Sequence, residues 1–313
     1  MRLLASRLGF GLVTLLVMSM ITFASTGISP KDVARNALGR EVTQEQLDNF
    51  ISANGLDDPA PIRYARWLER LASGDFGTST ITGRPVRQDV MPRLANTLVL
   101  AFLTLLIGLP VSLSIAVYMA LRPGRWQDAL LLAATTILTA LPEFVTGMGL
   151  ILLFGVTLEW LPIDSTGLVF GQGIDRLRAY VLPVATMVLV TAPYTIRIAR
   201  AAIRDSLAAP HTRAAILNGL SRQRVLWAYA VLPAAVPIIN TLALNLVYLI
   251  SGVVVIENVF NFPGIGRRFV EAITTGDTVT VQAVAVLMGV MFIAINLGAD
   301  LLAARINPKL RGI

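Results

Sequence analysis

The 313-residue chain has no cysteine and a single histidine, His211. Without a thiol, disulfides, thiolate nucleophiles and Cys-ligated metal centres are excluded. One imidazole leaves no His-rich metal site and no catalytic arrangement that needs a second histidine. Lysine is almost as scarce: Lys31 and Lys309 are the only two, and neither follows a glycine. No Gly-x-x-x-x-Gly-Lys-Ser/Thr occurs, so the chain lacks the backbone cradle that holds ATP phosphates. No serine sits in Gly-x-Ser-x-Gly. Charged residues make up 14% of the chain, where a soluble domain carries about 25%. Hydrophobic residues reach 55%, with a mean hydropathy of +0.70. The net charge of +7 comes almost wholly from arginine. Because no stretch offers a solvated basic face with interleaved aromatics, the charge points to cytoplasmic loops beside anionic lipid and not to nucleic acid.

The chain does have long uncharged runs: 21 residues at Leu8–Ile28, 28 at Leu94–Leu121, 18 at Ala179–Ile196, 32 at Val225–Ile256 and 22 at Thr278–Ala299. Ala129–Leu158 is interrupted once, by Glu143. A spanning helix needs about 20 apolar residues, and lipid forces the backbone to satisfy its own hydrogen bonds. The runs predict an all-α polytopic membrane protein with six helices, near 8–27, 97–120, 129–156, 180–199, 231–255 and 281–303. The first run follows Arg2 and Arg7 and could be a signal peptide. It is longer than a usual h-region and lacks a clear small-x-small cleavage site, which favours an uncleaved anchor.

Arginine and lysine in short loops set orientation. With the N-terminus in the cytoplasm, inside segments hold thirteen basic residues (Arg2 and Arg7; Arg122 and Arg125; Arg197, Arg200, Arg204, Arg213, Arg222 and Arg224; Arg305, Lys309 and Arg311). The short outside loops hold four, Arg176, Arg178, Arg267 and Arg268. Both termini are therefore expected inside. The expected organisation is an N-terminal end and first span (1–28), a large extracytoplasmic loop domain (29–93), and a five-helix core (94–313) with a cytoplasmic loop at 200–230. The loop domain balances nine basic against nine acidic residues. Thr43 is placed to cap a helix, Ile62, Ala65, Trp67, Leu68 and Leu71 recur at helical spacing, and Gly74-Asp75-Phe76-Gly77-Thr78-Ser79 reads as turn. This domain is either a bare cap or a docking surface for an outside partner.

The 200–230 loop says most. Arg197, Arg200 and Arg204 lie on one face of a helix leaving the membrane. Pro210 breaks that helix, Thr212 can cap a new one through Arg213-Ala214-Ala215-Ile216-Leu217, and Asn218-Gly219 supplies a left-handed stop. Ser221 can cap the next. A two-turn helix with small and apolar residues suits a groove on another protein, or the lipid head groups.

Arg213-Ala214-Ala215-Ile216-Leu217-Asn218-Gly219, with Leu232-Pro233 downstream, resembles the coupling loop of binding-protein-dependent ABC importer permeases, with Arg213 where the general motif has glutamate. Further stretches resemble the dipeptide/oligopeptide/nickel branch and its first permease subunit type: Gly55-Leu56-Asp57, Gly74–Ser79, Arg84-Pro85-Val86, Arg93–Leu98, Leu141-Pro142-Glu143-Phe144-Val145-Thr146-Gly147 and Leu161-Pro162. The stretch Glu257–Gly266, with Asp277, Gln282, Asn296, Asp300 and Asn307-Pro308, resembles the C-terminal third of the branch. Ser29-Pro30-Lys31-Asp32 departs from the Pro-Gly-Asp-Pro-like turn often found after its first span.

The resemblance implies a type I ABC importer fold in the bacterial inner membrane. It also implies a second homologous permease subunit, two ATP-binding subunits carrying ATP and Mg, and an extracytoplasmic substrate-binding protein. This chain would bind no cofactor and no metal and would catalyse nothing. Coupling to the ATPase would fall to Arg213, Ala214, Ala215, Ile216, Leu217, Gly219 and Pro233. Candidate pathway or substrate residues are Glu143, Phe144, Glu257, Phe260, Pro263, Gly264 and Gly266.

A carboxylate in mid-span must face a cavity or a protein partner. Glu143 therefore either meets the amino terminus of a peptide or bonds to the partner subunit. Pro263-Gly264-Ile265-Gly266 is expected to force a turn, in a loop that lines the pathway mouth or packs on the partner. Asn296 and Asp300, at i and i+4, would fix helix packing or pair with Arg305. Nickel chelates, opines or sugars are alternative cargoes within the branch. A stand-alone secondary transporter would need more mid-span ionisable groups than Glu143.

Overall fold

The computed structural model describes residues 2–27, 29–39, 42–53 and 55–306. The sequence motifs at Asn307-Pro308, Lys309 and Arg311 lie outside these residues, as do the side chains of Asp300 and Arg305. Every regular element among the described residues is helical: α1 Arg2–Gly27, α2 Pro30–Leu38, α3 Gln44–Ala53, α4 Ala60–Ala72, α5 Val86–Ala120, α6 Trp126–Ala140, α7 Glu143–Leu150, α8 Gly167–Phe170, α9 Ile174–Ala208, α10 Pro210–Leu217, α11 Arg222–Arg224, α12 Leu232–Val259, α13 Ile265–Thr275 and α14 Thr278–Ile306. Wider π turns follow α7 at Ile151–Thr157 and α11 at Val225–Val231. One β-bridge joins Thr78 and Pro85.

Among the described residues, five helices are long and apolar enough to cross a membrane: within α1, α5, α9, Arg222–Thr241 and α14. The bent pair α6 and α7 makes a sixth if it is one span. The fold is an all-α polytopic membrane protein, as the runs predicted. The segment expected as one straight helix at 129–156 is instead bent by 107° between its two parts, as in a broken span or a re-entrant loop. Pro142 explains the break. A proline disfavours the helical region for the residue before it, and Leu141 is extended, at φ −79° and ψ 131°.

The chain divides into two compact units. The first comprises Met1–Thr97 and Pro263–Ala294. Here α1 and α14 approach closely at glycines: a Cβ on Gly11 would lie 2.8 Å from Ile293, and one on Gly289 would lie 2.8 Å from the Met18 sulfur. Small residues allow such contact where lipid offers no hydrophobic driving force between helices. Gln282 donates to the Thr26 hydroxyl at 2.8 Å. Thr43 caps α3 as expected: its Oγ1 accepts from the Gln46 N–H, and the Gln46 Oε1 accepts from the Thr43 N–H at 3.0 Å. Ala34, Leu47 and Ile51 form a small core under α2 and α3.

The second unit comprises Leu98–Phe262 and Ile295–Ile313. The 35-residue α9 lies at its centre and packs on α6, α7 and α12. Its core is lined by residues such as Leu100, Met119, Leu182, Ile203, Ile256 and Phe260.

Candidate functional site

The short helix expected in the 200–230 loop exists, but it starts earlier than the sequence suggested. Pro210 occupies its first turn, where a missing N–H costs nothing, and Ala209 takes the cap position in extended geometry. Thr212 is therefore inside the helix. Its hydroxyl is fully buried and faces two carbonyls, Ser206 O at 2.6 Å and Tyr229 O at 3.2 Å. The second contact ties α10 to the π turn that leads into α12. Pro233, just past that turn, is exposed. The far end of α10 closes as expected: Gly219 has φ +76° and its N–H bonds Ile216 O at 3.0 Å.

With Thr212 and Ala215 buried against the protein's own helices, the outer face of α10 carries Arg213, Ala214, Ile216 and Leu217. Ile216 is 56% exposed and Leu217 87%. A second tie stiffens this end of the unit. Arg200, on α9, grips Asp128, on α6, through two contacts of 2.6 and 2.5 Å. Asp128 also accepts from the Gly124 N–H at 3.3 Å, so one buried carboxylate fixes both α9 and the loop after α5. Bidentate guanidinium–carboxylate pairs combine charge with fixed geometry.

The expected pathway residues divide between the two units. In the second, Glu143 opens α7 just after the Leu141–Pro142 break, not mid-helix, and is half-buried. Its carboxylate lies against α12, where a Cβ on Gly252 would be 2.7 Å from Oε2. Phe144 is exposed, whereas Glu257 and Phe260 are buried. The space that Gly147 leaves is taken by the Phe260 ring and Val259, each 3.3 Å from where a Cβ would stand.

In the first unit, Pro263 is half-buried and Gly264 and Gly266 are buried. The turn expected from Pro263-Gly264-Ile265-Gly266 lies earlier. Asn261 takes the left-handed conformation, at φ +53°, while Ile265 and Gly266 already belong to α13. Asn96 donates to Pro263 O at 3.0 Å, and the Ile265 N–H to the Thr97 hydroxyl at 3.0 Å. Nearby, the buried Asp277 gathers Ser79 at 2.6 Å, Thr280 at 2.6 Å and Arg268 at 3.2 Å, and Arg268 also reaches Asp89 at 2.6 Å. Burial alone would raise the Asp277 carboxyl, but the hydroxyl and backbone donors and the Arg268 charge outweigh it and hold the group below its ordinary value. Sequence reading noted Asp277 without its partners. Ser79 is 198 residues away, a distance no local pattern reports.

Comparison with known proteins agrees with this architecture. Residues 108–312 match the family described as binding-protein-dependent transport system inner membrane component. Residues 1–101 match the corresponding N-terminal family of transport system membrane components. Similar proteins include the probable peptide ABC transporter permease protein y4tP of Sinorhizobium fredii, 33% identical over 302 residues, covering 95% of this chain and 96% of the relative. The glutathione transport system permease protein GsiC of Salmonella paratyphi A is 31% identical over 298 residues, covering 95% of each. GsiC of Pectobacterium atrosepticum aligns to the same extent. The chain belongs to the binding-protein-dependent transport system inner membrane component family and is a transmembrane permease subunit of an ABC importer.

Proposed function

We propose that this subunit forms half of a pathway for di- or oligopeptides and is driven through α10 by separate ATPase subunits. The peptide assignment draws on the relatives named for peptide and glutathione transport. The coupling assignment rests on one observation: a short helix, clamped from behind by Thr212, presents Ile216 and Leu217 to solvent. Large apolar side chains on a helix face are anchors for a partner's groove. Arg213 stands on the same exposed face and would offer a cation at the rim.

The assembly comprises a second permease subunit, two ATPases that hold ATP and Mg, and an extracytoplasmic binding protein. The chain holds no cofactor or metal itself. Both termini and α10 lie in the cytoplasm, in keeping with the arginine asymmetry, and residues 29–93 form the extracytoplasmic loop domain. Glu143 lines the pathway and meets the peptide's amino terminus. Phe144, Glu257 and Phe260, with Pro263, Gly264 and Gly266, shape the route.

The test is Leu217→Asp. Because this side chain makes almost no contact within its own chain, folding is expected to be unchanged, while co-purification of the ATPases and ATP-dependent uptake fall together. An intact complex with normal uptake would sink the assignment. Uptake by the purified chain alone, in liposomes without ATPases, would sink the importer reading of the pathway.

A further inference from the structure

A cavity of about 560 Å³ in the first unit lies apart in the sequence from the candidate pathway residues. It lies where α4 packs against the Ser19–Phe23 turns of α1, at the same end as the Thr26–Gln282 contact with α14. Arg63, Arg66 and Arg70 all line it. They recur at i, i+3 and i+7, one face of α4. Arg63 is buried, with its guanidinium 5.9 Å from the centre of the Phe23 ring. Arg66 is tied to Asp58 at 2.7 Å, and Arg70 is exposed. Asp75 is the one acidic residue in the lining, and it already accepts from the Gly77 N–H. Three guanidinium groups against the two carboxylates of Asp58 and Asp75 leave the wall net cationic.

The rest of the wall mixes hydroxyls and Gln282 with an apolar part made by Phe23, Phe50, Leu56, Trp67, Phe76 and Val279. Behind it Tyr64 joins Phe23 and Trp67 in an aromatic cluster with ring centres 5.5 to 5.9 Å apart, the kind of group that sits at a membrane boundary. Below Phe23 on α1, Leu12, Leu16 and Met20 precede it by 11, 7 and 3 residues. At 100° per residue these positions fall on the same side of the helix, and all three are exposed.

We infer that this cavity seats the headgroup of an anionic phospholipid. Its phosphodiester meets the arginine face of α4, and its acyl chains run down α1 over Leu12, Leu16 and Met20. A free phosphate would satisfy the guanidinium groups but leave the aromatic wall and the apolar stripe uncovered. A lipid fills all three: guanidinium groups pair with phosphate oxygens, and aromatic side chains sit at headgroup level. The inference rests on α1 and α14 spanning the membrane and is independent of the cargo.

Native mass spectrometry of the delipidated full importer tests it, by titrating phosphatidylglycerol, phosphatidylcholine and glycerol 3-phosphate in turn. Phosphatidylglycerol is expected to bind tightest. The double variant Arg66→Gln/Arg70→Gln removes two exposed charges and should weaken it roughly 30-fold, at about one decade per 1.4 kcal/mol and about 1 kcal/mol per arginine, with phosphatidylcholine unaffected. A phosphatidylglycerol carrying brominated acyl chains should quench Trp67, read as the difference from Trp67→Phe. Unchanged phosphatidylglycerol binding in the double variant overturns the site. Glycerol 3-phosphate binding as tightly as the lipid would make it a free-anion pocket, and displacement of the lipid by an acidic peptide would assign it to the cargo; either overturns the inference. ATP-dependent uptake measured on the same variants separates these failures from failure of the transport reading.

Discussion

Replacing Thr212 by valine keeps the side chain's shape and removes only its hydroxyl. The hydroxyl has one proton and two acceptors, Ser206 O and Tyr229 O. The Ser206 carbonyl keeps a second donor, the Ala209 N–H at 3.3 Å. The Tyr229 carbonyl, in the π turn that leads into α12, loses the proton that ties it to α10. A buried carbonyl left without its donor costs about 1–3 kcal/mol. At about 2 kcal/mol, the population in which α10 stands free of the π turn rises roughly 30-fold. The measurement is amide hydrogen exchange over residues 210–219 in the assembled importer, alongside uptake per ATP hydrolysed. Faster exchange confined to α10, together with ATP hydrolysis that no longer drives uptake, is the expected result. Thr212→Ser should restore both. Exchange and coupling unchanged in the valine variant would refute the argument, since the clamp would then carry no energy.

Other outcomes follow from the same geometry. Asp128→Asn breaks a buried bidentate pair and should cost roughly 3 kcal/mol; Asp128→Asn/Arg200→Met should recover part of that in thermal unfolding, and a purely additive double variant would argue against the pair. Gly147→Leu has no room against Phe260 and Val259 and should destabilise by about 1–3 kcal/mol, with uptake lost before ATPase assembly; wild-type uptake would show that this packing is idle. Asp277 ionises below its ordinary value, so its stabilisation is complete above the usual carboxylate range and is lost only as pH falls through the lower folded value. Thermal stability should therefore drop below about pH 4, and in Asp277→Asn it should be lower throughout and flatter across that range.

The spans were legible because lipid demands about 20 apolar residues in one run, and five of the six runs map onto continuous helical stretches. The Thr43 cap was legible because a capping box is local. The break at Leu141–Pro142 was written in the sequence too, yet hydropathy masks it: the run stays apolar across the proline, and a window that counts charge cannot register a backbone bend. Thr212 hides its place for a similar reason. Threonine before an apolar helix looks like a cap, but Pro210 can begin a helix as well as end one, which moves the start and turns Thr212 inward. The turn before α13 was sought at Pro263–Gly266 on glycine content, whereas Asn261 carries the left-handed geometry, as asparagine tolerates. Asp128–Arg200 and Asp277–Ser79 join residues 72 and 198 positions apart, and no periodicity encodes a pairing at that range.

These ties bear on how a push at α10 would travel. The helix is clamped to both of its neighbours through one hydroxyl, so it cannot shift against α9 without also pulling on the π turn that leads into α12. α9 is held in turn to α6 by Arg200 and Asp128. At 1.5 Å per residue the 35-residue α9 is about 50 Å long, enough to carry a displacement across a membrane without a loop in the path. α12 ends beside the same α7 segment, where Phe260 and Val259 fill the space at Gly147, and Gly252 leaves room for Glu143. A displacement at the α10 end would therefore reach the candidate pathway residues along two helices at once. The compliant point between them is the Leu141–Pro142 break, where α6 stops and α7 begins with no helical hydrogen bond from Pro142. Motion imposed at α10 should accordingly appear as a change in the 107° angle before either α9 or α12 bends. Spin-label distances from α6 to α7 should change with nucleotide state while those within α9 stay fixed, and the opposite pattern would place the hinge in α9, at Pro183 or Pro193.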